Sequence, residues 1–213
     1  MKNGATALAA AFVTTAALSI PTIVPVYADA PSTPTTSSSV HTEAEKVIPY
    51  EHQWQETGYW CGPAATRVAL TAAGDTTSQA QLAEELPTDE NGTDHIGQVT
   101  DVLNAHGAGS YVTTEMPNDP PTAEQEQALW DDVVTTIDQD RAVVANIVAP
   151  PGNQPPGYPS DQTIYHYFTV VGYNSETSQV KIADSAAFSE GEYWLDFHQL
   201  ATLIPPKGYS ALG

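Results

Sequence analysis

The chain is predicted to fold as an α+β domain, with helices first and an antiparallel sheet after them. Two observations carry this. From Pro63 to Asp140 apolar residues recur at helical spacing, and the segments stop at glycine or proline. After Asp140 the segments become short, rich in β-branched and aromatic residues, and separated by turn sequences. Helices and strands that are segregated rather than alternating imply helices packed on an antiparallel sheet.

The elements follow in order. Residues 1–30 read as a signal peptide: Lys2 supplies the positive start, Ala5 to Ile20 is apolar, and Ala28-Asp29-Ala30 fits a cleavage site. A membrane anchor is the competing reading, but Thr14, Thr15, Ser19 and Pro21 interrupt the apolar run. Residues 31–45 are a Ser/Thr/Pro linker with nothing to bury, expected to be disordered. Residues 46–213 then form one domain, long enough for a sizeable core. Pro63 suits the first turn of a helix, so Ala64–Ala73 is predicted helical with Gly74 as its stop. Thr76 and Gln79 resemble a capping box for a helix over 77–86, ended by Pro87. Ile96, Val99, Val102 and Leu103 predict a helix over 95–105, with Gly107 after it. A weak strand is expected at 111–114. A long helix is expected over 122–140, with Leu129, Trp130, Val133, Val134 and Ile137 as its stripe. Strands are predicted at 142–149, 165–173, 179–183 and 191–197. Pro150 to Pro159 is a long polar loop. Such loops border binding sites about as often as they are surface excursions.

The chain carries 26 acidic and 6 basic residues, a net charge of −20. That surface repels nucleic acid and anionic lipid, so neither is an expected partner. After signal cleavage the expectation is a secreted monomer with no stable membrane insertion, acting on a peptide or protein.

Cys61 is the only cysteine. In an oxidising compartment a lone thiol is either buried or used. Cys61 stands where a loop enters a predicted helix, and a helix N-terminus favours the thiolate. Thiol catalysis needs a base, a group to orient the base, and donors for an oxyanion. His166, within an apolar β-run, is the base candidate, and Asp184 the orienting carboxylate. If the two strands form a hairpin centred on Ser175 or Glu176, both residues share a face. An even loop would separate them unless a bulge compensates. Gln55, six residues before Cys61, is the oxyanion candidate, with Gln53 as the alternative. The bland readings are a buried structural thiol, a satisfied strand histidine, a turn carboxylate and a surface amide. His52, His95, His106 and His198 lack metal-ligand spacing, and His95 and His106 are expected to be exposed helix caps. The Asp89–Asp94 segment is faintly calcium-like, but Thr100 stands where a binding loop needs glutamate. A turn and helix cap is the expectation there.

Gln55, six positions before a cysteine that opens a helix, resembles the papain-like arrangement. Cys61-Gly62-Pro63-Ala64-Ala65, His166-Tyr167-Phe168-Thr169-Val170-Val171-Gly172-Tyr173 and Ile182-Ala183-Asp184-Ser185 resemble more specifically the bacterial double-glycine (bacteriocin-leader) peptidases and their stand-alone relatives. The likeness runs from about His52 to about Phe197. It implies a papain-like cysteine peptidase fold and a site of Gln55, Cys61, His166 and Asp184, with no metal or organic cofactor. A transglutaminase-like acyl transferase on the same residues, or a non-catalytic peptide-binding domain of the same fold, are the alternatives.

Overall fold

The computed structural model describes residues 44–213. The signal-peptide segment and most of the linker lie outside the described residues. The linker's last residue, Glu45, opens strand β1 (Glu45–Val47) instead of being disordered.

Five helices follow one another as α1 (Cys61–Ala72), α2 (Gln79–Glu85), α3 (Ile96–Ala105), α4 (Ala123–Asp138) and α5 (Phe197–Leu203). The remaining strands are β2 (Tyr111–Glu115), β3 (Val143–Ala149), β4 (Ile164–Asn174), β5 (Gln179–Ala183), β6 (Glu192–Asp196) and β7 (Gly208–Leu212). They form one antiparallel sheet in the order β2-β7-β3-β4-β5-β6, with β1 paired to the far end of β4. The α+β expectation therefore holds. Among the described residues no helix is long and apolar enough to cross a membrane.

Helices cover both faces of the sheet. Successive strand residues point to opposite faces. On β7 the Tyr209 hydroxyl donates to Asp132 of α4 (2.7 Å), while its neighbour Ser210 accepts from Thr100 of α3 (2.8 Å). A strand covered on both faces loses the apolar/polar alternation. Accordingly His166 to Tyr173 of β4 are all buried.

Several expectations are corrected. The cap of α2 is Ser78, which accepts from the Gln81 N–H, not Thr76. Asp75 draws the chain into a local turn by accepting from Thr77 (2.8 Å), which moves the helix start two residues on. Gln79 is fully buried and has another use, described below. His106 is no simple exposed cap: it lies between Asp75 (2.8 Å) and Glu85 (2.6 Å). Three elements escaped prediction: β1, α5 and β7. Helix α5 is capped by Asp196, which accepts from the Gln199 N–H, a pattern visible in sequence. Strand β7 follows Pro205-Pro206 and carries only small or mixed residues, yet it sits inside the sheet.

The β4–β5 turn is the decisive local feature. Asn174 pairs with Gln179, leaving the four-residue loop 175–178, which is even. A bulge between Val170 and Gly172 then shifts the register by one, so that Thr169 faces Ala183. Gly172 beside the bulge lets β1 close in, because a Cβ there would meet the Lys46 carbonyl oxygen at 2.6 Å.

Candidate active site

Cys61 is the first residue of α1, and Ala64 N–H already bonds back to Trp60 O (2.9 Å). Pro63 has no N–H to leave unpaired, and the Gly62 N–H is turned to the Cys61 sulfur. The helix is tied to the sheet by Thr169 of β4, whose hydroxyl donates to the Ala65 carbonyl at 2.9 Å. That bond fixes the thiol relative to His166, three residues earlier on the same strand. Gly62 permits the turn at 89–94 to press on the helix start. A Cβ there would lie 2.1 Å from Thr93 Oγ1.

The segment before Cys61 is clamped from below. Gln79 donates to the Trp54 carbonyl (2.8 Å) and to Gln53 Oε1 (2.9 Å), and accepts from Glu56 N–H (3.1 Å). Gln55 N–H donates to the Ser185 carbonyl (2.9 Å), so this segment also grips the loop after β5.

His166 and Asp184 meet as the bulged register requires. The carboxylate only accepts, so His166 Nε2 carries the proton and donates to Asp184 Oδ1 at 2.9 Å. The other ring nitrogen is left for the Cys61 thiol, with which His166 is hydrogen-bonded. Asp184 is saturated: Oδ1 also accepts from Ala186 N–H (2.9 Å), and Oδ2 accepts from the hydroxyls of Tyr158 and Tyr193, each at 2.8 Å. His52 Nε2 donates to the Asp184 carbonyl (2.8 Å). The two tyrosines carried no sequence signal. Tyr158 lies on the long Pro/Gly loop, which therefore borders the site. Asn153 and Gln154 anchor that loop to α5. Phe188 closes the outside, with its ring centroid 4.9 Å from Tyr158 and 6.3 Å from His166.

The electrostatics follow from these contacts. Burial alone would push the Cys61 thiol up. The His166 hydrogen bond and charge, with the N–H groups of Tyr167 and Gly62, outweigh it and hold the thiol below its usual value. Burial would likewise depress His166, but the bonds to Asp184 and Cys61 lift it from 6.5 to about 10. Burial would raise Asp184, yet His166, the Ala186 N–H and Tyr158 keep it below the ordinary carboxylate value. Desolvation and the Asp184 charge hold the Tyr158 hydroxyl well above its normal value, so it remains a donor. These contacts favour the thiolate–imidazolium pair over the neutral pair, with the Asp184 carboxylate beside it.

Of the four site residues expected from sequence, the structure brings Cys61, His166 and Asp184 into one chain of contacts. Gln55 lies beside them, but its amide nitrogen donates to the Thr57 carbonyl (2.8 Å), while its oxygen faces Ser185 Oγ at 3.5 Å. Gln53, the alternative, has its oxygen engaged by Gln79. The thiol opens onto a cleft of about 220 Å³ lined by the 91–94 turn, Asn146, Tyr165, His166, Tyr167 and Lys207. The calcium-like segment is thus a tight turn, with Asp89 and Gly92 bridged, forming one cleft wall.

Comparison with known proteins agrees with this architecture. The profile of the Peptidase_C39 like family matches residues 45–204. No curated protein matches the chain. Among solved structures, one described as a C39-like peptidase from Bacillus anthracis superposes with a TM-score of 0.51 at 15% identity, covering 79% of this chain and 98% of that one. A double glycine motif protease from an AMS/PCAT transporter, solved with its leader peptide, gives a TM-score of 0.50 at 9% identity, covering 79% and 95%. The peptidase domain of Streptococcus ComA gives 0.49 at 19% identity, covering 78% and 100%. At these identities the likeness concerns the fold, which is that of papain-like cysteine peptidases. With the profile spanning most of its length, the chain belongs to the Peptidase_C39 like family, and its family and fold are of the cysteine-peptidase type.

Proposed function

We propose that the chain is an exported cysteine peptidase that hydrolyses peptide bonds through Cys61, His166 and Asp184. The observation that carries the reading is the 2.9 Å bond from His166 Nε2 to Asp184, which leaves the other ring nitrogen for the sulfur. The Cys61 thiolate attacks the scissile carbonyl carbon, and the carbonyl electrons move onto oxygen. The His166 imidazolium gives its proton to the leaving nitrogen, the C–N bond breaks, and a thioester remains. Neutral His166 then takes a proton from water, which attacks the thioester and expels the thiolate. Asp184 keeps the ring oriented and stabilises its charged form throughout. The backbone N–H of Cys61 is one oxyanion donor. The Gln55 amide is the second, once it swings from the Thr57 carbonyl. The basic start and Ala28-Asp29-Ala30 motif support export.

Cys61→Ala should bind peptides from a mixed library and cut none, while the parent chain cuts them. Residual cleavage by Cys61→Ala would sink the proposal. Protein recovered from the culture medium should begin at Pro31; an intact Met1 terminus on it would remove the signal-peptide part.

A further inference from the structure

The cleft beside Cys61 contains an unpartnered cation. The chain has 26 acidic residues against 6 basic ones, so a lysine or arginine meets a carboxylate easily. Among the described residues four of the five do find a partner. Lys46 pairs with Asp140 (2.9 Å) and Arg67 with Glu51 (3.3 Å). Arg141 donates to the carbonyls of Ala108 and Asp140. Lys181 lies over the Trp194 ring at 5.8 Å. Lys207 alone meets no carboxylate, carbonyl or ring, and it lines the same cleft as Cys61 and His166. It is half-buried, so its stem is covered while its ammonium lacks a protein acceptor. Its backbone is held on both sides: the Lys207 N–H donates to Ile204 O and its carbonyl accepts from Met116 N–H, each at 2.8 Å. A rigid backbone at the head of β7 carrying a free cation is a preorganised anion contact. Asp94 lines the cleft too, but it is exposed and forms no ion pair with Lys207. An unpaired carboxylate is unremarked in a chain so acidic; an unpaired cation is not.

We propose that Lys207 determines specificity by holding a carboxylate of the substrate next to the scissile bond. The inference rests on the cysteine-peptidase reading for its substrate, and it deepens that reading by naming what the cleft selects. The cleft is small, so the group it takes belongs to a residue adjoining the cut. Two sources share this chemistry: the free α-carboxylate at a peptide's end, and an Asp or Glu side chain within the peptide.

The test has a substrate-free arm and a substrate arm, both on the full folded chain. In the first, Cys61 is alkylated with iodoacetate (anionic) and iodoacetamide (neutral), and the ratio of rates is taken. In Lys207→Gln that ratio should fall roughly three- to ten-fold, as expected for losing one charge several ångströms away in a partly solvated cleft. Lys207→Glu should lower it further, Lys207→Arg should keep it, and added salt should collapse it in the parent. In the second arm, matched peptides carrying Glu or Gln beside the cut, and ending in acid or amide, are compared by kcat/KM. The parent should favour the acidic member of at least one pair, and that pair identifies the source. Lys207→Gln should lose the preference. Melting temperatures establish that each variant is folded. An unchanged iodoacetate ratio in folded Lys207→Gln and Lys207→Glu, or equal cleavage of all four peptides by the parent, overturns the proposal. If no peptide is cut but the ratio still responds, the anion contact stands and the peptidase reading is the one that fails.

Discussion

Asp184→Asn isolates charge from geometry at this site. The side chain is buried, and each oxygen accepts two hydrogen bonds. An asparagine can keep its carbonyl at the Oδ1 position, still accepting from His166 and Ala186. Its NH2 then faces the two phenol oxygens, which can accept instead of donate. The ring orientation survives while the negative charge is lost. His166 is lifted from 6.5 to about 10 by two partners, Asp184 and the Cys61 thiolate. If Asp184 supplies half of that lift, its loss costs the imidazolium form on the order of 2 kcal/mol, roughly 50-fold. The assay is the pH dependence of kcat/KM and of iodoacetamide labelling at Cys61. In the parent, activity should rise as Cys61 ionises, below its usual value, and should fall as His166 loses its proton near 10. In Asp184→Asn the alkaline limb should move down towards 6.5 and the acid limb should move up, so the active window narrows from both sides. A folded Asp184→Asn protein with its alkaline limb still near 10 and an undiminished rate would refute the assignment of Asp184.

Two further outcomes follow from the same contacts. Tyr158→Phe and Tyr193→Phe each remove one donor to a buried carboxylate, a hydrogen bond worth ~1.5–3 kcal/mol. Because Asp184 is depressed in the folded state, its contribution to stability is present above the unfolded value and is lost as pH falls through the folded one. Removing donors raises the folded value, so acid unfolding should begin at higher pH, and the double variant should exceed the sum of the singles in a mutant cycle followed by circular dichroism. Gln55→Ala should lower kcat by about 10²–10³ with little change in KM, as for loss of one oxyanion donor; an effect confined to KM would assign Gln55 to substrate binding instead.

What could be read from the sequence was the chemistry that leaves a local mark. Cys61 opens a helix, His166 interrupts an apolar strand and Asp184 ends another, and each is visible without tertiary knowledge. Residues that act only through long-range contacts were not legible. Gln79 reads locally as a cap partner, because its true contacts, Trp54, Gln53 and Glu56, come from a segment more than twenty residues earlier. Tyr158 sits in a proline-rich loop, and only the fold carries it to a carboxylate 26 residues away. Strand β7 has weak intrinsic preference and forms because β2 and β3 each offer it an open edge.

The His166–Asp184 pair shows how a short-range rule and a long-range need are reconciled. Side chains alternate along a strand, so two residues on paired strands share a face only if the turn and any bulge together give the right parity. Asn174-Ser175-Glu176-Thr177-Ser178 favours a tight turn: Asn174 Oδ1 accepts from the N–H groups of Glu176 and Thr177, both at 3.0 Å. That turn closes an even loop, which by itself would send Asp184 to the wrong face. The bulge at Val171 restores the parity five residues from His166, and the Val171 carbonyl accepts from Ile48 N–H at 2.9 Å. The extra residue is thus satisfied by the chain just past β1. Gly172 leaves room for that approach. The turn is chosen by local hydrogen bonding and the bulge by the packing of β1, and only their combination brings the carboxylate to the imidazole.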